Sequence, residues 1–184
     1  MSTFGNTTQD TDSYQATAAN RYYGAVFTSP ADMGTVTELI AFIGSGAEND
    51  KAKLCIHLHS DLSLVYASGD INTAGVAAAR STGAISVALS PNTAYILGAV
   101  FETASDRFYK DTGDANTSHV EDNSYLTPTG LTSPTHGTIL FQIYANYTAN
   151  GGLTHTPVTN TAGLSFGGGL SRKLTGKRVQ AGVL

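Results

Sequence analysis

Lys53-Leu54-Cys55-Ile56-His57-Leu58-His59 places Leu54, Ile56 and Leu58 at every second position, the spacing that lines one face of a pleated strand. A helix would scatter these three around its circumference, so the segment reads as a half-buried β-strand. The same alternation recurs in Tyr23, Ala25 and Phe27; Leu62, Leu64 and Tyr66; Ile85, Val87 and Leu89; Tyr95, Leu97, Ala99 and Phe101; and Ile139, Phe141, Ile143 and Ala145. Thr35 to Ile43 is apolar on both faces, Leu39, Ala41 and Ile43 against Ile40 and Phe42, which predicts a central strand or a bulge that shifts the register. Ser29-Pro30-Ala31-Asp32, Gly44-Ser45-Gly46, Ser68-Gly69-Asp70, Ser90-Pro91-Asn92 and Ser133-Pro134-Thr135 punctuate these runs as turns. Only the Ala-rich stretch Thr73 to Arg80 reads as a turn or two of helix, so alternating βαβ units are not expected. The economical fold is all-β: a two-sheet antiparallel β-sandwich, jelly-roll-like, of about seven to nine strands.

The chain of 184 residues suits one domain with a two-layer core. Residues 1–148 are expected to form the sandwich, with the polar stretch 106–135 as a long loop holding two short strands. Residues 149–184 turn Gly-rich, with too few apolar residues for a core, and read as an extended, partner-ordered C-terminal tail. Charged residues make up 13% of the chain, about half of the roughly 25% usual in soluble domains. Cys55 is the only cysteine, so packing and not an intrachain disulfide must hold the fold. Met1 to Asn6 lacks the basic and apolar regions of a signal peptide, and no apolar run is long enough for a membrane helix. No membrane partner is expected. Synthesis in a host cytoplasm and release without a signal peptide fit a virion component.

All 14 acidic residues lie at or before Asp122 with six of the ten basic ones, so residues 1–122 carry −8. Residues 123–184 hold Arg172, Lys173, Lys177 and Arg178 and no acid, a charge of +4. That asymmetry marks an interaction tail, and an acidic body would repel phosphate, so nucleic acid is not the expected partner. Leu164, Phe166, Leu170, Leu174 and Leu184 are spaced as apolar anchors for the same tail.

Cys55, His57 and His59 share one strand face, but three ligands at that spacing span too far to converge on one ion, and outward-facing histidines are expected. Glu48, Asn49 and Asp50, and the set Asp106, Asp111, Asp114, Glu121, Asp122 and Asn123, are hard oxygen donors of the kind Ca²⁺ prefers, without the spacing of an EF-hand. No cofactor is otherwise expected. Gly44-Ser45-Gly46 lacks the frame of a nucleophile elbow, and Gly176-Lys177 continues into Arg178 where a P-loop needs Ser or Thr. No pair of carboxylates stands out for glycoside hydrolysis, and no catalytic residues are assigned. Tyr22, Tyr23, Tyr109 and Tyr125 offer rings for sugar stacking, Tyr109 and Tyr125 within the long loop.

Five segments, Phe4-Gly5-Asn6-Thr7-Thr8, Gly34-Thr35-Val36-Thr37-Glu38-Leu39, Leu54-Cys55-Ile56-His57-Leu58, Leu89-Ser90-Pro91-Asn92-Thr93-Ala94-Tyr95 and Ile143-Tyr144-Ala145-Asn146-Tyr147-Thr148, follow in an order with a resemblance. It resembles the jelly-roll-like β-sandwich modules of bacteriophage virion proteins and secreted bacterial glycan-associated proteins, over residues 4–148. The resemblance implies no catalytic residue. It implies a non-enzymatic structural subunit, such as a capsid decoration, head-fibre or tail protein, with copies of itself or other virion proteins as partners. The alternative is a carbohydrate-binding module for cell-surface glycans.

Overall fold

In the computed structural model, which describes residues 2–45 and 50–150, the chain is all-β. The strands are β1 Ser2–Gly5, β2 Tyr14–Ala16, β3 Arg21–Thr28, β4 Thr35–Ser45 and β5 Lys51–Leu58. They continue with β6 Leu64–Ala67, β7 Ile71–Asn72, β8 Gly75–Ser81, β9 Val87–Ala88 and β10 Ala94–Phe101. The last are β11 Asp106–Thr112, β12 Ser118–Asp122, β13 Thr135–Gly137, β14 Ile139–Phe141 and β15 Ile143–Thr148. They form two antiparallel sheets packed as a sandwich. One sheet has eight strands and runs β1-β15-β4-β11-β14, with β2 on β11 and β8 and β9 on β4; the other has seven and runs β13-β12-β3-β10-β5-β6, with β7 on β5.

The predicted alternating faces meet between the sheets. Leu39, Ala41, Ile43, Ile143 and Ala145 of the first sheet and Tyr23, Ala25, Leu54, Ile56, Leu97, Ala99 and Phe101 of the second belong to one buried cluster, with Leu58, Ile85 and Val87 packed against it. Phe108 and Phe141 stack at 4.5 Å within it, and Tyr23 meets both Phe101 and Phe141 edge-on. Each such side chain contributes about 1.5–3 kcal/mol by leaving water.

Several expectations are corrected. The described residues contain fifteen strand segments and not seven to nine, because single runs break where they change partner. Ile139 to Ala145 divides at Gln142, after which β14 stays on β11 while β15 joins β4 and β1. Leu62, Leu64 and Tyr66 do not share a face: a bulge opposite Ile56 and His57 turns Tyr66 to the inter-sheet core and sends Leu62 and Leu64 to a second cluster. Thr73 to Arg80 is not helical, since residues 75–81 find a β-ladder on β4 that overrides alanine's helix preference. Gly44 and Ser45 end β4 and do not form a turn. The strand Thr35 to Ile43 is both central and bulged, with β15 on one side and β8 and β9 on the other.

The expected half-burial of β5 is also corrected. Cys55 and His57, opposite the main core, are fully buried, in a second layer on the outer face of the seven-stranded sheet. That layer joins Tyr22, Cys55, Ile96, Val100, Tyr125 and Leu131. Its floor is a pair of glycines: Gly24 and Gly98 lie opposite each other in β3 and β10, and the Tyr22 ring lies across both. A Cβ on either would collide with that ring, and one on Gly98 also with the Tyr23 carbonyl.

The chain divides into a unit Met1–Gly152 and a second, Leu153–Leu184, that lies outside the described residues. Ala149 packs on the core and Asn150 is tied to the body, its N–H donating to the Asp32 carbonyl and its Nδ2 to the Met33 carbonyl, both at 2.9 Å.

Replacing Gly98 by Ala should lower stability by about 1–3 kcal/mol through overpacking against Tyr22. Gly69→Ala, where a Cβ meets open space, should stay within about 0.5 kcal/mol of the parent. Urea unfolding curves of the three proteins check this; equal midpoints would show that the ring is not held by the glycine pair.

Candidate functional site

Asn123 to Leu131 straps the outer face of the seven-stranded sheet. The Asn123 amide staples the strap to itself, donating to the Thr129 carbonyl at 3.0 Å and accepting the Thr129 N–H at 3.1 Å. Asn20 Oδ1 accepts the Tyr125 N–H at 3.1 Å, Lys53 Nζ donates to the Leu126 carbonyl at 3.1 Å, and the Leu131 N–H reaches the Leu62 carbonyl at 2.9 Å. Lys53 also lies 5.1 Å over the Tyr125 ring. Burial, then the neighbouring Asp70 carboxylate, push the Tyr125 phenol above its ordinary range.

Four of the five histidines gather on this face. His119 and His136 are directly paired across β12 and β13, with ring centres 4.4 Å apart, and the His59 ring lies 5.4 Å from His119 on another side. His57 lies against Tyr22 at 4.8 Å, its Nε2 3.0 Å from the Thr129 carbonyl oxygen. That contact requires the Nε2–H tautomer and leaves Nδ1 of His57 buried without a hydrogen-bond partner, as is Nδ1 of His119. Burial, then the imidazoles of His136, His59 and His57, hold His119 down to about 4. His57 is lowered by burial, against the opposing effects of the Thr129 carbonyl and the Glu121 carboxylate. Cys55 is pushed up to about 12 by burial, so it is an inert thiol. Within this group His57 and His119 resist protonation.

The second site is acidic and stands at one end of the sandwich. Asp106 opens β11 and is 1% exposed, and Asp50, just before β5, is 5% exposed. Neither carboxylate oxygen of Asp106 has a hydrogen bond of good geometry, nor does the hydroxyl of Thr73, a fully buried residue between β7 and β8. Burial raises Asp106 to about 6; the nearby Thr73 and Thr103 hydroxyls oppose the rise, and the Asp50 and Glu102 charges add to it.

The other named residues have structural duties. Tyr109 is buried against Phe42 and Tyr14, and Tyr125 packs from the strap into the outer cluster, so neither presents an open ring. Tyr22 and Tyr23 are buried as well. Glu121 accepts the Thr132 and Ser133 N–H groups at the far end of the strap, and Asp122 pairs with Arg21 at 3.8 Å. The Asp114 carbonyl closes a turn with Thr117. Asp111 joins Asn6 and Gln142, and Gln142 also donates to Asp10. Glu48, Asn49 and the tail residues Leu164, Phe166, Leu170, Arg172, Lys173, Leu174, Lys177, Arg178 and Leu184 lie outside the described residues. The expected outward-facing pair divides, with His57 buried and His59 exposed.

Among the described residues no three His, Cys, Asp or Glu side chains are placed to hold a metal by themselves. No protein-family model matches the chain, and no curated protein matches its sequence.

The histidine face sets a pH dependence. His119 has a folded value of about 4 against about 6.5 in an unfolded chain. At this residue protons therefore favour unfolding, and its contribution to stability falls by up to roughly 3 kcal/mol as pH falls from about 6.5 toward 4, against an opposite contribution from Asp106. His119→Gln should remove that contribution; denaturant unfolding of the two proteins across this range checks it, and parallel profiles for parent and His119→Gln would refute the assignment.

Proposed function

We propose that the chain is a non-enzymatic structural subunit of a phage-type virus particle, a capsid decoration, head-fibre or tail protein, assembling with copies of itself or other particle proteins. The observation that carries this reading is the edge of the eight-stranded sheet. Among the described residues β8 pairs only with β4, so its outer side is unpaired. Its sequence is Gly75-Val76-Ala77-Ala78-Ala79-Arg80-Ser81, and Val76 is 85% exposed. Edge strands of monomers are usually blunted by lysine, proline or covering segments. Here the one charge turns back, Arg80 donating to the Ala74 and Val76 carbonyls at 2.6 and 3.3 Å. An apolar edge of this kind is a template for strand addition by a neighbouring chain.

The C-terminal segment has the composition for that role. It carries four basic residues and no acid, while the body holds every acidic residue, so charge would steer the approach and apolar side chains would hold it. Exposed ion pairs alone contribute only about 0–1 kcal/mol each. The burial of Tyr109 and Tyr125 weighs against the glycan-binding alternative.

Sedimentation velocity and negative-stain images of the full chain, a chain ending at Gly152, and Val76→Lys test the proposal. The full chain should form discrete assemblies; the truncated chain and Val76→Lys should melt normally and sediment as monomers. Assembly of both variants to the extent of the full chain would defeat it.

A further inference from the structure

We propose that the strap Asn123 to Leu131 is a pH-operated flap: a proton taken up by His57 lifts it from the seven-stranded sheet while the two sheets stay packed. The strap lies within the connection from β12 to β13, so both of its ends are held by the β12–β13 ladder. None of its residues belongs to a strand, and lifting it breaks no strand pairing. Its hold on the sheet is a short set of contacts. Two side chains, Tyr125 and Leu131, are buried in the outer cluster, and hydrogen bonds run to Asn20, Lys53, Leu62 and His57. Leu126, between them, is 77% exposed. A segment held by so few buried contacts opens locally at lower cost than the sheets it covers.

His57 is the tie that changes charge most readily in mild acid. It is fully buried, with Nε2–H on the Thr129 carbonyl and Nδ1 without a partner. A second proton must go to Nδ1, where the new N–H would meet no acceptor beneath the strap. A buried charge with an unmet donor is strongly unfavourable. The surrounding groups do not relieve it. β10 and β6 oppose His57 with Ile96 and Leu64. Tyr22 of β3, Cys55 of β5 and Tyr125 of the strap, the titratable groups of the same layer, are all raised above their ordinary values and stay neutral in acid. Lys53, on the same face of β5, is turned to Asp70 and the Leu126 carbonyl. Glu121 of β12 favours the proton, but its oxygens already accept the Thr132 hydroxyl and the Thr132 and Ser133 N–H groups. His119, also of β12, opposes it, since a charge on either imidazole disfavours one on the other. Burial therefore wins, and His57 is held below the ordinary histidine range. With the strap lifted, water reaches the ring and its value returns to about 6.5. The closed form then binds the proton more weakly than the open one, so closure is lost as pH falls below about 6.5.

Cys55, the only cysteine of the chain and wholly buried in the layer that Tyr125 and Leu131 complete, reports the opening. The full chain is treated with dithiodipyridine from about pH 7.5 to about pH 5, the range in which histidine titrates. At each pH the rate is divided by that of the urea-unfolded chain, which removes the reagent's own pH dependence. The resulting protection of Cys55 should fall about tenfold across the range. It should depend little on low concentrations of urea, as a local opening requires. His57→Gln, which keeps a donor for the Thr129 carbonyl but takes up no proton, should make the protection independent of pH. Tyr125→Ala should lower protection at every pH and keep the slope, and His119→Gln should also keep it. Four results would overturn the assignment: protection in the parent that does not fall with pH, an undiminished slope in His57→Gln, a slope abolished in His119→Gln, or a urea dependence equal to that of global unfolding.

Discussion

The Tyr22 ring lying across Gly24 and Gly98 is the contact from which the rest of the outer face follows. A sandwich needs only its inner faces buried, and most outer faces are left to water. Here the two glycines open a trough across β3 and β10, and a ring with no exposed surface fills it. The buried ring must then be roofed, and Tyr125 and Leu131 of the strap roof it. Once the strap is down, everything that shares the face goes under with it: Cys55 and His57 from β5, Ile96 and Val100 from β10. The seven-stranded sheet thus carries two apolar layers, and its central strands read as buried along nearly their whole length.

That second layer explains what the sequence could and could not disclose. Alternation in Leu54, Ile56 and Leu58 identifies a buried face because burial is imposed at every second residue. It carries no information about the opposite face, whose fate depends on a segment about seventy residues later in the chain. His57 was legible as a strand residue and illegible as a buried one. His119 and His136 show the same limit more sharply, since nothing local marks either, and they meet only because β12 and β13 pair in one register. Where local preference did mislead, at the alanines of β8, ladder hydrogen bonds to β4 won over intrinsic propensity.

The acidic corner was half legible. Asp50 and Asp106 belong to two groups of oxygen-bearing residues that the sequence presents as cation donors, but their meeting depends on β11 pairing with the end of β4. Thr73, whose hydroxyl lies by the Asp106 carboxylate, sits in a stretch that reads as helical, so nothing local marks it as a neighbour of that acid. The other acids named with them are used up in local structure: Glu121 at the strap, Asp122 with Arg21, Asp111 with Asn6 and Gln142.

The two buried ionisable sites oppose each other. Asp106, at about 6, takes up a proton more readily folded than unfolded, so acidification below that value stabilises the fold there. His119, at about 4, does the reverse over much of the same range. The two effects partly cancel, and the fold is buffered against mild acid.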